Sequence, residues 1–211
     1  MPAIINWPLL SAFIPTFFLV SLTPGMCMTL SLSLGITLGV KRTLWMMAGE
    51  LLGVALVAVA AVAGVATLML GYPAVFQVFK YVGGAYLMYL GVQMWRSRGR
   101  VSLSLDTGTA GTTVSRRQLA VQGFVTAVAN PKGWAFFIAL LPPFIDSTRA
   151  VPPQLAVLVG VILALEFCCL LLYASGGRSL GRFLQDAGHT RLLNRIAGTL
   201  MFAVGVWLAA A

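Results

Sequence analysis

Charge is scarce in this chain: 9% of its 211 residues are Asp, Glu, Lys or Arg, against roughly 25% in an ordinary soluble domain. That leaves too few charged groups to cover a water-facing surface and excludes a soluble globular fold. Acidic residues are the rarest, five in all, and no apolar run contains an Asp, so an intramembrane paired-aspartate hydrolase is excluded. Lys132 has no serine nucleophile near it in sequence, which disfavours a Ser/Lys enzyme as well. The one histidine, His189, has no companion ligands, so no metal site is expected, and no motif calls for a cofactor. The three cysteines, Cys27, Cys168 and Cys169, lie in apolar runs without a CxxC; a disulfide framework is excluded and small apolar packing is the ordinary reading. No Lys or Arg precedes the first apolar run. A signal peptide needs a basic start, so this run is expected to remain as a span.

What the chain has in abundance is apolar sequence, 59% hydrophobic with a mean hydropathy of +0.93. Six apolar segments stand out, at about Leu9 to Leu38, Leu44 to Leu70, Val75 to Trp95, Leu119 to Leu141, Gln154 to Ala174 and Leu192 to Ala210. About 20 apolar residues cross the hydrocarbon core as a helix. Continuous runs rather than short alternating strands point to helices, since only helices and closed barrels satisfy the backbone in lipid. The fold class expected is an all-α polytopic membrane protein with six transmembrane helices. The first segment is too long for one straight span, which a break at Thr23-Pro24-Gly25 would explain.

The net charge of +9 would suggest nucleic acid in a soluble protein. Here the basic residues cluster in short loops, and membrane orientation is the better account. Lys41 and Arg42, five arginines from Arg96 to Arg117, and Arg178, Arg182, Arg191 and Arg195 share one side of a six-span arrangement, eleven against Lys80 and Arg149 on the other. The positive-inside rule makes the eleven-residue side cytoplasmic and puts both termini outside. Trp7, Trp95 and Trp207 sit near segment ends as interface anchors. The Ser/Thr/Gly-rich stretch VSLSLDTGTAGTTVS reads as a linker. The expected organisation is a first three-helix repeat at 1–95, a cytoplasmic linker at 96–118 and a second repeat at 119–211. Three spans per repeat give the repeats opposite orientations, as in inverted-repeat transporters, with the first helix of each broken at a proline.

The breaks carry the candidate chemistry. Proline lacks an amide hydrogen and frees a carbonyl one turn back; in lipid such a break persists where it lines a cavity. Thr23, Pro24 and Gly25 form one break and Asn130, Pro131 and Lys132 the other, against the simpler reading of two tolerated kinks. A lysine at mid-depth costs about 2.5–3.5 kcal/mol on insertion scales, so intramembrane charges usually mark a pathway or a paired site; snorkelling to an interface is the alternative. Glu50 and Glu166 are the acids within the segments, one per half. Either could pair with Lys132 or meet a substrate amine, and Glu166 lies deeper. Gly35 and Gly39, and Gly49 and Gly53, have the small-xxx-small spacing of helix packing and also permit a homodimer.

The chain resembles the LysE/RhtB family of amino-acid exporters. The resemblance rests on TPG, on Gly39, on GELLG, KYVGGAYLMYLG and QGFVTAVANPKGWAFFIALLPPFID, and on RLLNRIAGTLMFAVGVWL. It covers nearly the whole chain and implies export of amino acids or derivatives from the bacterial cytoplasm across the inner membrane, driven by the membrane potential or protons. Members often have TPGP where Met26 stands here, and many have an acid where Val54 stands. The expected function is therefore a secondary exporter whose partners are a small-molecule amino-acid substrate and membrane lipid. The alternative is a membrane thiol–electron carrier, suggested by Cys27 beside the first break; no cysteine follows Pro131 to match it.

Overall fold

The computed structural model describes residues 7–71, 73–96, 114–141, 144–146 and 149–210. Among them every regular element is helical: α1 Trp7–Leu22, α2 Met26–Leu38, α3 Val40–Gly71, α4 Pro73–Arg96, α5 Arg116–Val128, α6 Pro131–Leu140, α7 Val151–Gln185 and α8 Ala187–Ala210. Two are long and apolar enough to cross a membrane on their own, over Val40–Gly64 and Val151–Gly177. The pair α1 and α2, bent by 57° at their junction, makes a third if counted as one span.

Both prolines act on the backbone in the same way. The Val20 carbonyl would normally take the amide of residue 24, which is Pro24, and accepts from Thr23 N at 3.2 Å instead. The Ala127 carbonyl stands in the same relation to Pro131 and accepts from Asn130 N, also at 3.2 Å. Pro131 then opens α6 at a position where a missing amide costs nothing, with Asn130 as its N-cap. Residues 97–113, most of the expected linker, lie outside the described residues. The helix after them starts at Arg116 rather than Leu119, because Ser115 and Gln118 form a reciprocal capping box.

Glycines set three close helix contacts. A Cβ at Gly49 of α3 would run into the Ala120 carbonyl of α5, and one at Gly123 of α5 into Met46. A Cβ at Gly53 would come 2.7 Å from the Ala127 Cβ, and one at Gly35 would meet the Ala174 backbone of α7. Gly84 and Gly91 of α4 lie against Gly205 and Gly198 of α8. Gly39 departs from the packing role expected of it: a Cβ there would have nothing within 4 Å, and its φ of 77° makes the turn between α2 and α3. Spacing alone cannot tell such a turn from a contact. Gly177, at φ 49°, likewise kinks α7. Gly49→Val should therefore lower stability by about 3 kcal/mol or more, since the neighbouring backbone cannot yield. Gly64→Val, with nothing within 4 Å, should be close to neutral. Thermal melts of the two variants in detergent check the contrast; equal melts would remove the packing account.

α1 and α2 pack against the long helix α7, and α5 and α6 against the long helix α3. Ser31 Oγ donates to the Leu170 carbonyl at 2.8 Å, and the Tyr173 hydroxyl donates at 2.8 Å to the Leu22 carbonyl beside the break. Large apolar side chains such as Leu52, Leu56, Val82, Val121, Val125 and Leu172 face outward, a surface suited to lipid. Between α7 and α8 the Asp186 carboxylate accepts from the His189 and Gly188 amides at 3.1 and 2.8 Å, and these two bonds hold its carboxyl below the usual range.

Candidate functional site

A cavity of about 70 Å³ lies where the two breaks meet the two long helices, lined by Thr23, Gly25, Glu50, Asn130, Lys132 and Glu166 among others. At about 10–15 Å³ per water it holds several waters. Pro24 and Pro131 do not line it; they shape the backbone that does. Residues more than a hundred positions apart in sequence thus share one small space. Phe17, Phe136 and Phe137 wall its apolar end, with the Phe17 and Phe136 ring centroids 5.5 Å apart.

Lys132 reaches across the cavity, and its Nζ donates to the Val20 carbonyl at 3.2 Å. This is the carbonyl that Pro24 leaves without its ordinary partner, so the Lys132 ammonium satisfies it from α6. Its backbone amide donates to Asn130 Oδ1 at 3.1 Å, the cap of α6. The sequence leaves Glu50 and Glu166 each able to pair with Lys132 or to meet a substrate amine, with Glu166 the preferred neighbour of Lys132. Among the described residues Lys132 makes no direct ion pair; Arg149 pairs with Asp146, and His189 Nδ1 lies 3.5 Å from Asp186 Oδ1. Glu166 remains within electrostatic reach of Lys132, but Ser21 Oγ donates to its carboxylate at 2.5 Å and the Val20 carbonyl takes the ammonium.

Glu50 is wholly buried, and neither carboxyl oxygen has a hydrogen-bond partner among the described residues. It does not face an interface. The Cys27 thiol and the Glu166 carboxyl are its polar neighbours, close enough to bond with it but short of good hydrogen-bond geometry. An unsatisfied buried polar group costs about 1–3 kcal/mol, more when charged. Asn130 points its Nδ2 at Cys27 Sγ, 3.7 Å away. The two helix starts at the cavity differ: Asn130 caps α6, whereas α2 begins at Gly25 with no side-chain cap, leaving its first amides open to an anion.

Ser21, Cys27 and Tyr173 were missing from the sequence-based set. Ser21 was the most findable, a hydroxyl two residues before Thr23 in FFLVSLTPG and within one turn of the break. The cysteines are free, with Cys27 and Cys169 buried and Cys168 exposed, and no disulfide among the described residues supports a thiol shuttle. No group of three or more His, Cys, Asp or Glu among the described residues could hold a metal ion.

The family model described as LysE type translocator matches residues 18–211. An uncharacterized membrane protein of Vibrio cholerae is 30% identical over 95% of this chain and 96% of its own length. A homoserine/homoserine lactone efflux protein of Salmonella typhimurium is 28% identical over 95% of both chains. A leucine efflux protein of Klebsiella pneumoniae is 28% identical over 90% of this chain and 87% of its own. No solved structure matches.

Proposed function

The chain belongs to the LysE type translocator family, and we propose that it is a secondary transporter exporting an amino acid or a closely related small metabolite from the bacterial cytoplasm. The observation that carries this reading is the wholly buried Glu50 carboxyl, without a well-formed hydrogen bond at either oxygen, in a largely apolar cavity between the two broken helices. A buried acid without such a bond suits a ligand that brings one. In this reading Glu50 takes the substrate ammonium, while the uncapped start of α2 and the Lys132 ammonium take the carboxylate. Thr23 and Asn130 hold the two breaks open, and Glu166, tied to Ser21, completes the polar lining. Relatives whose names specify efflux of homoserine or leucine support a substrate of this class.

The same reading makes the chain six spans in two inverted repeats, the first helix of each broken at Pro24 or Pro131, with alternating access from one repeat moving against the other. The reciprocal packing of each broken helix on the opposite long helix supports it. Both termini then lie outside the inner membrane and the basic loops inside. Reporter fusions at Ala211 and near Gly108 should report opposite sides of the membrane, and a cytoplasmic signal from Ala211 would remove the six-span arrangement. Function is tested in cells fed dipeptides, with and without expression of the chain. Faster release of one or a few amino acids on expression is expected, and unchanged release across the whole panel would contradict export.

A further inference from the structure

We propose that the groove between α4 and α8, at its arginine-bearing end, binds an anionic phospholipid, with an acyl chain in the groove and the phosphate over Arg96 and Arg195. The proposal is separate from the export cavity and shares no residue with it. The groove has a volume of about 310 Å³ and is lined by Gly91, Val92, Trp95, Arg96, Thr199 and Phe202, with Gly198 at its floor. Its shape follows from the two glycines: a Cβ on Gly91 or Gly198 would come 2.6 Å from the other residue's carbonyl oxygen, so the backbones meet and leave a furrow without side chains. Val92, Phe202 and the Trp95 indole stand along it, and all three are exposed. An apolar furrow open on a lipid-facing surface suits a hydrocarbon chain better than a soluble ligand.

Its charged end argues for the sign of the headgroup. The Trp95 indole N–H donates to Thr199 Oγ1 at 2.9 Å, which fixes the ring as a wall, and the Arg195 guanidinium lies over that ring, 5.2 Å from its centroid. Arg96 closes the groove from α4, and Arg191 lies one helical turn from Arg195 on α8. Arg96, Arg191 and Arg195 are all exposed. None takes part in an ion pair among the described residues, and Asp186, the acid nearest Arg191 and Arg195 in sequence, is occupied by the amides that start α8. Unneutralised arginines beside a membrane-facing furrow complement an anionic headgroup, and basic pockets between transmembrane helices are a recognised lipid site.

The test is native mass spectrometry of the full chain purified in neutral detergent, with phosphatidylglycerol against phosphatidylcholine of the same acyl chains. Two arginines near an anionic headgroup correspond to roughly a thirtyfold preference for phosphatidylglycerol. Arg96→Gln/Arg195→Gln should reduce retention to the phosphatidylcholine level, and Arg96→Lys/Arg195→Lys should keep most of the preference. Val92→Trp, which fills the furrow from an exposed position, should weaken retention of both lipids. Equal retention of the two lipids by the wild type would overturn the proposal, as would an unchanged preference in the glutamine variant. A preference abolished by millimolar inorganic phosphate alone would mean a free-anion site and also overturn it. So would a dimer that Val92→Trp dissociates without changing lipid retention, since a second copy would then fill the groove.

Discussion

Lys132→Met reaches the membrane at wild-type abundance and exports at a tenth of the wild-type rate or less. Removing a mid-depth ammonium lifts an insertion cost of about 2.5–3.5 kcal/mol, so the variant has no reason to be made poorly. The fold loses one hydrogen bond, from Nζ to the Val20 carbonyl, a net loss of about 1 kcal/mol; the carbonyl keeps its weaker bond from Thr23 N. What disappears is the polar link between the second break and the first, together with the positive charge that faces a substrate carboxylate. If Lys132 were only an anchor, abundance and export would both stay at wild-type levels. Equal export at matched abundance would therefore move the site elsewhere.

Glu50→Gln separates function from stability in the opposite sense to most buried substitutions. The side chain is 0% exposed and has no well-formed hydrogen bond at either carboxyl oxygen, so replacing a carboxyl with a neutral amide of the same shape should leave the melting temperature unchanged or raise it. Export should fall by about a hundredfold, because the amide offers a substrate ammonium only a neutral hydrogen bond. A structural Glu50 predicts the reverse, a lowered melt with export reduced only in proportion to the folded protein. Export near the wild-type rate in a stably folded Glu50→Gln would show that the substrate amine is held elsewhere.

A missing amide is local chemistry that can be read from sequence: Pro24 and Pro131 each remove a specific hydrogen bond wherever the rest of the chain lies. Lys132 was legible for the same reason, since its cost in an apolar run does not depend on its neighbours. Its partner was not. The Val20 carbonyl lies 112 positions away, on α1, and Ser21 is 145 from Glu166 on α7; both pairings depend on tertiary packing that no local pattern announces. Spacing misled at Gly39, where a turn needing positive φ fell four residues after a contact glycine. It under-read Gly84, Gly91, Gly198 and Gly205, which recur every seven residues on two helices whose contact no single segment announces. The start of α5 was placed late because its cap, Ser115, sits at the edge of a serine-rich stretch that reads as loop throughout.

The most direct test reconstitutes the purified chain into proteoliposomes loaded with unlabelled leucine or homoserine and follows counterflow of the labelled amino acid. Wild type and Glu50→Gln are compared at matched protein content, with Leu52→Ala as an outward-facing control. Uptake by wild type and the control with at least one of the two substrates, and background uptake by Glu50→Gln, is the predicted result. Wild-type uptake at the level of empty liposomes for both substrates, or equal uptake by wild type and Glu50→Gln, would contradict an amino-acid exporter with its site at the paired breaks.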